Sequence, residues 1–128
     1  TGEPVQYIDV GDEVKLTIDV DVHESLDELV VGYVIKDRLG QDIFGTNTHH
    51  LDCKLVAPEA GGLVSYTFQF AANLGVGSYS VAVALHTSDT HIAENFEWRD
   101  LALVFNVTNI SRKPFVGSAW LPPRVEYR

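Results

Sequence analysis

The sequence predicts an all-β fold, an immunoglobulin-like antiparallel β-sandwich, from the period of its apolar residues and the spacing of its turns. In several stretches apolar residues alternate with polar ones, which is the two-residue period of a half-buried strand. Segments rich in glycine, asparagine and proline separate these stretches. No segment keeps a 3.6-residue apolar period, and 128 residues suffice for one domain with a single core. About seven short strands with regular turns are typical of such a sandwich.

The first half of the chain contains four predicted strands. Val5–Val10 ends at a Gly-Asp turn, and Glu13–His23 then carries valine, leucine or isoleucine at every second position. Val30–Asp37 and Asp42–Thr48 are shorter, and a turn containing Leu39-Gly40 joins them as a hairpin. Each of these strands is expected to have one buried and one wet face.

The second half contains three more. Val64–Phe70 follows the turn segment Pro58–Gly62 and alternates large apolar residues with serine, threonine and glutamine. Tyr79–His86 follows the turn segment Asn73–Ser78, and its large residues alternate with small ones. Leu101–Val107 repeats the alternation and completes the predicted sandwich.

The C-terminal segment Ser111–Arg128 has a different composition. It combines prolines, which exclude it from a central strand, with Phe115, Trp120 and Tyr127, which need cover. We therefore divide the chain into a sandwich over residues 1–110 and a C-terminal segment over residues 111–128. The segment either packs on its own sandwich or adds as a strand to a neighbouring subunit, and we favour the exchange in a homodimer.

Charge and composition exclude several classes of partner. The formal net charge is −9, which disfavours binding to nucleic acid or to an anionic membrane surface. No apolar run approaches the about 20 residues that span a bilayer, so direct membrane insertion is not expected. The single cysteine, Cys53, fits a reducing compartment. The chain begins at Thr1 and contains no methionine, so we expect it to belong to a longer protein.

On one predicted strand, the side that should face the solvent carries small residues instead of charged ones. On Tyr79–His86 the residues opposite the large set are Ser80, Ala82 and Ala84. If this strand neighbours Val30–Asp37 and Leu101–Val107, the three form a smooth, weakly apolar floor with a few polar points. The other floor residues are Gly32, Val34, Ala102 and Val104, and the polar points are His86, Lys36 and Asn106.

An exposed, weakly apolar surface of this kind is normally covered by a ligand or by protein, and a sugar chain is a suitable ligand. Carbohydrate recognition uses aromatic faces for the C–H sides of the rings and planar polar groups for the hydroxyls. Trp98, Phe44 and Tyr33 are candidate platforms, and Asn47 is a further candidate hydrogen-bonding group. The candidate carbohydrate-binding residues are therefore His86, Asn106, Lys36, Trp98, Tyr33, Val34, Ala84 and Val104. The open alternative is that a loop, or the C-terminal segment of a partner chain, covers the floor.

No reactive constellation stands out in the sequence. There is no glycine-rich phosphate loop with Lys-Ser/Thr, no Gly-x-Ser-x-Gly and no His-Glu-x-x-His. His86, Asp89 and His91 form the best metal candidate, but an ordinary loop explains them as well. We expect no catalytic residue, no metal and no cofactor, and an enzyme acting on a glycan is the least favoured hypothesis.

Several segments resemble a known family. Residues 31–48, VGYVIKDRLGQDIFGTNT, closely resemble a signature of the C-terminal domain of Wzt, the ATPase subunit of O-antigen ABC transporters. Tyr79 through His86, the segment Phe96–Val107 and the early Gly-Asp-Glu-Val at 11–14 match as well. The resemblance extends to about Val107, and Phe-Gly-Thr-Asn-Thr at 44–48 is its most specific part.

This resemblance implies a function, partners and a location. Family members are β-sandwiches that bind the exported O-antigen polysaccharide on the concave face of one sheet, in some cases at a modified non-reducing end. They are homodimers with exchanged terminal strands. Their other partners are the N-terminal nucleotide-binding domain of the same protein and the membrane-spanning transporter subunit, which implies a cytoplasmic location peripheral to the inner membrane. The alternative function is a structural dimerisation and assembly domain without its own glycan pocket.

Overall fold

A computed structural model describes residues 7–22, 26–51, 55–56, 62–89 and 95–128. For residues 22, 26–28, 55–56, 87–89 and 95–102 the backbone alone is described. Within these ranges the chain forms eight strands and no helix. The strands are β1 (Tyr7–Asp9), β2 (Glu13–Val22), β3 (Leu26–Asp37), β4 (Asp42–Asn47), β5 (Leu55–Val56), β6 (Gly62–Ala71), β7 (Gly77–Asp89) and β8 (Asn95–Thr108).

The strands form two sheets that enclose the core. The larger sheet has the order β1-β8-β7-β3-β4, with β5 beside β3, and the smaller sheet pairs β2 with β6. Every pair is antiparallel except β1 and β8, which run parallel. The predicted immunoglobulin-like β-sandwich is confirmed, with this one parallel edge as an addition.

Some observed strands are longer than the predicted ones, because backbone pairing continues past the residues in which apolar and polar side chains alternate. β7 and β8 remain paired as far as Thr87 and Asn95, which is one residue after the predicted end of Tyr79–His86 and six residues before the predicted start of Leu101–Val107. The two-residue β5 was not predicted, because two residues are too few to show a period. His23, Cys53 and most of the predicted turn Pro58–Gly62 lie outside the described residues.

The core between the sheets is built from the residues that the alternation assigned to it. β3, β7 and β8 contribute buried tyrosine, isoleucine, valine and phenylalanine residues, against which β2 and β6 pack leucine, isoleucine and phenylalanine. Tyr33 lies at the centre, with its ring centroid 4.9 Å from that of Phe68 and 5.9 Å from that of Phe70. These contacts fix which face of the larger sheet points inward.

The C-terminal segment packs across one end of its own sandwich as far as Trp120. The Gly75 amide donates to the Ser118 carbonyl at 3.1 Å, and the Trp120 amide donates to the Asn73 carbonyl at 3.0 Å. Trp120 and Phe115 both pack against the core. Phe115 and Trp120 are therefore partly covered by their own chain, whereas Val116 between them is 95% exposed.

Side chains near β1 hold the same segment. The Asp9 carboxylate accepts hydrogen bonds from the Ile110 amide at 2.7 Å and from the Ser111 hydroxyl at 2.6 Å. The Arg112 guanidinium lies 4.8 Å from the centroid of the Trp120 ring and donates to the Val10 carbonyl at 3.3 Å. Residues 121–128 are exposed throughout, and the exchange of the segment 111–128 between protomers stays a prediction.

In the ranges given above, no helix is long and apolar enough to cross a membrane.

Candidate functional site

The three strands expected to form the floor are neighbours, in the order β8-β7-β3. Their register places Val34 opposite Ala82 and Gly32 opposite Ala84. Val81 belongs to the core cluster, and successive side chains of a strand point to opposite faces, so Ala82 lies on the side away from the core. We call this side the outer face; it comprises Tyr7, Val30, Gly32, Val34, Lys36, Ser78, Ser80, Ala82, Ala84, His86, Val104 and Asn106.

The outer face has a closed centre and a more open margin. Ala82 is 1% exposed and Val30 is 8% exposed, whereas Val104 is 52% exposed. Beside Ala82 the β7–β8 ladder is irregular: Val81 pairs with Leu103 and Val83 with Arg99, so three residues of β8 face one of β7. Ala82 is therefore closed to a ligand, whereas Val34 and Ala84 beside it are half-buried and Val104 is exposed.

The register after this bulge places Trp98 opposite Ala84. β8 has two more residues than β7 at the bulge, and an even number of extra residues leaves the alternation of faces along β8 unchanged. Trp98 therefore occupies an outer-face position of β8. The side chains of Trp98 and of Ala102 lie outside what the structure describes, so their contribution to the floor stays a prediction.

Polar side chains are distributed around the apolar centre. Lys36 lies opposite Ser80 on the neighbouring strand, and His86 lies opposite Val30. Asn106 is half-buried, and its Oδ1 accepts a hydrogen bond of 2.6 Å from the Ser78 hydroxyl. Lys36 and His86 also make interactions of their own. The Asn106 amide is thus oriented by the protein, which suits a group that binds a hydroxyl.

The prediction that Tyr33 is an open platform on this face is wrong. Tyr33 is 3% exposed and lies in the core between the sheets, where burial raises the pKa of its hydroxyl. Its position in β3 shares the parity of Ile35, which also points inward. Phe44 pairs with Ile35 and lies 6.2 Å from the Tyr33 ring, so it also lies on the core side of the sheet. It is nevertheless 52% exposed, because β4 is the edge strand of this sheet.

Asn47 holds a turn, as its position between two threonines indicates. Its Oδ1 accepts a hydrogen bond of 2.8 Å from the His50 amide, at the end of β4. The next residue, Thr48, is 2% exposed, and its hydroxyl accepts a hydrogen bond from the Val31 amide. This part of the family signature is structural, which matches the backbone role expected from short polar side chains.

Sequence reasoning missed one aromatic residue of the outer face. Tyr7 is 68% exposed and pairs with Asn106 across the parallel β1–β8 edge. Its neighbour Ile8 packs against the core, so Tyr7 points outward. The alternation within Val5–Val10 indicated an outward tyrosine, but nothing in the sequence indicated that β1 lies beside β8.

The metal candidate gains no support. No group of histidine, cysteine, aspartate and glutamate residues that could hold a metal ion is found in the part of the chain that the structure describes. His91, the third member of the proposed cluster, lies outside that part.

The strand order and the two sheets define an all-β sandwich domain. A solved structure described as the crystal structure of the C-terminal domain of Wzt has the same fold, with a TM-score of 0.80 at 17% identity. The match covers 95% of this chain and 74% of that one. A sequence model of the Wzt C-terminal domain family matches residues 1–121, and the chain belongs to that family. Comparison with curated proteins gave no match.

Proposed function

We propose that this domain binds the O-antigen polysaccharide on its outer face, without catalysing a reaction, and couples the polysaccharide to export by an ABC transporter. The observation that carries the proposal is the outer face itself, where small and apolar residues are bordered by fixed amide and hydroxyl groups in a member of the Wzt C-terminal domain family. The resemblance to that family in residues 31–48 gives the substrate class.

The chemistry of the face suits a sugar chain. A nearly flat apolar surface accepts the C–H sides of pyranose rings, and the surrounding polar groups replace the water that the sugar hydroxyls give up. The net charge of −9 disfavours strongly anionic ligands, so a neutral glycan is the better partner. Each such contact between the domain and a sugar is weak. A domain that holds the polysaccharide nevertheless raises the effective concentration of the polysaccharide near the transporter.

We further propose that the domain acts as a homodimer at the cytoplasmic side of the inner membrane. Its partners would be the nucleotide-binding domain of the same protein and the membrane-spanning transporter subunit. Membership of the Wzt C-terminal domain family supports this assignment. No membrane insertion and no nucleic acid enter the proposal.

A charged substitution on each sheet tests the proposal. Val104→Glu adds a carboxylate to the outer face at a position 52% exposed, and Leu63→Glu adds one to the smaller sheet at a position 64% exposed. We expect the full chain to bind O-polysaccharide purified from its source strain, measured by calorimetry, and Val104→Glu to weaken binding at least about tenfold. Leu63→Glu should bind as the wild type does. Absence of binding by the wild-type dimer would contradict the proposal.

The exposed C-terminal residues favour one second candidate, a dimerisation domain. Leu121, Val125 and Tyr127 are 81%, 84% and 93% exposed, although they are large and apolar. Removal of residues 121–128 should convert a dimer to a monomer in light scattering if these side chains are covered by a partner. A dimer that covers the outer face completely, and binds no polysaccharide, would favour assembly over glycan recognition.

A further inference from the structure

Tyr7 is the one tyrosine among the residues named as the outer face, whose other members are glycine, alanine, serine, valine, lysine, histidine and asparagine. Its ring is 68% exposed, while the adjacent Ile8 is packed against the core and Val10 is completely buried. The tyrosine therefore stands on a firmly held strand and cannot turn into the core without reversing the faces of β1. Its ring is exposed to the solvent beside β8.

The neighbours of Tyr7 come from β8 and β7. Asn106 is its direct ladder partner, about 4.8 Å away between strands, and Ser78 is the next residue across the sheet. Val104 is on the same face of β8, about 7 Å along the strand, and is 52% exposed. An aromatic ring, a planar amide and an apolar side chain thus surround an area comparable with one pyranose ring.

The hydrogen bond between Ser78 and Asn106 orients this amide. The Asn106 Oδ1 accepts from the Ser78 hydroxyl at 2.6 Å, so the amide nitrogen is directed away from Ser78. A fixed amide loses little conformational freedom on binding, which favours affinity for a hydroxyl group placed beside it.

We propose that Tyr7 is the stacking platform of a subsite for one hexopyranose residue, with Val104 beside the ring and Asn106 as its hydroxyl-binding group. This inference rests on the proposed function and deepens it by locating a contact at the β1–β8 edge of the outer face. The negative face of the tyrosine ring attracts the C–H side of the sugar. The contact needs the ring and not the phenolic hydroxyl.

Three variants at Tyr7 distinguish the contribution of the aromatic ring to binding from the contributions of side-chain volume and of the hydroxyl group. Tyr7→Phe should bind purified O-polysaccharide within about twofold of the wild type, whereas Tyr7→Leu, which keeps the bulk, should lose about five- to tenfold, as should Tyr7→Ala. Leu63→Ala is the matched control, because it removes a side chain of similar exposure from the other sheet. Thermal unfolding of each full-length variant checks that the fold is kept.

A readout independent of affinity completes the test. On titration with the same polysaccharide, sugar protons should shift upfield in the NMR spectrum through the tyrosine ring current, and the amide signals of Tyr7, Val104 and Asn106 should move. Binding by Tyr7→Leu equal to that of the wild type, with Val104→Glu still defective, would overturn the subsite and leave the proposed function standing. No binding by the wild type would overturn both.

Discussion

Replacing Gly75 by alanine should loosen the C-terminal segment from the sandwich. A methyl group built at Gly75 would lie 1.7 Å from the Gly117 carbonyl oxygen, far inside van der Waals contact. The obstructing atom is backbone, so the segment itself must move. That displacement breaks the hydrogen bonds from Gly75 to Ser118 and from Trp120 to Asn73.

The expected loss of stability follows from these contacts. Two backbone hydrogen bonds contribute about 1 kcal/mol each. Partial exposure of Phe115 and Trp120, which are half-buried against the core, adds about 1–2 kcal/mol. The free energy of unfolding should therefore fall by about 3–4 kcal/mol, and the Tm by about 11–15 °C in a domain of this size.

Two controls distinguish the clash from other effects of the substitution. Gly40→Ala has open space around it but a φ of +82°, so backbone strain alone should cost about 1 kcal/mol. Val76→Ala, next to Gly75 and 66% exposed, should change stability little. Circular dichroism gives the Tm values, and hydrogen exchange at Ser118 and Trp120 reports the loosening. A Tm for Gly75→Ala no lower than that of Gly40→Ala would refute this packing.

Three further predictions concern single side chains. Tyr66→Phe should keep or raise stability, by up to about 1 kcal/mol in urea unfolding, because the buried Tyr66 hydroxyl has no hydrogen-bond partner in the described chain. The hydrogen bond from the Ser111 hydroxyl, followed by that from the Ile110 amide, lowers the pKa of Asp9 below its usual value of 3.8. The ionised Asp9 carboxylate therefore stabilises the fold above pH 3.8, and this stabilisation is lost as the pH falls through the lowered pKa. Asp9→Asn should therefore lose less stability than the wild type between pH 5 and pH 2 in thermal unfolding, and equal losses would count against the contact. Tyr33→Ala should lower the unfolding free energy by about 3–5 kcal/mol, a loss that an exposed platform would not show.

The alternation of apolar and polar residues predicted the strands and most of their faces correctly. β2 shows this well, since its predicted and observed bounds differ only at His23, which lies outside the described residues. Tyr33 was named as a candidate platform for its aromatic character, although it has the parity of Val31 and Ile35, both of which are buried. The periodicity was the better guide, since a side chain cannot change face without shifting the strand register.

The candidate site was only partly predictable. Small residues at Ala82 and Ala84 indicated a floor, and their strand, β7, is indeed adjacent to β3 and β8. Ala82 is 1% exposed and Ala84 is half-buried, and the sequence carries no clear mark of the irregular β7–β8 pairing beside Ala82. The C-terminal segment posed a similar problem, because its apolar residues needed cover but their composition did not say which surface provides it.

The sequence by itself determined the class of fold, the family and the face on which most side chains lie, because these depend on a local period and on short motifs. Only the tertiary structure decided that β1 lies parallel to β8, which places Tyr7 beside Asn106 from the opposite end of the chain. It also decided that residues 109–120 cover the end of their own sandwich. Such contacts join segments far apart in sequence, and their free energies depend on shape and distance, which no local pattern records.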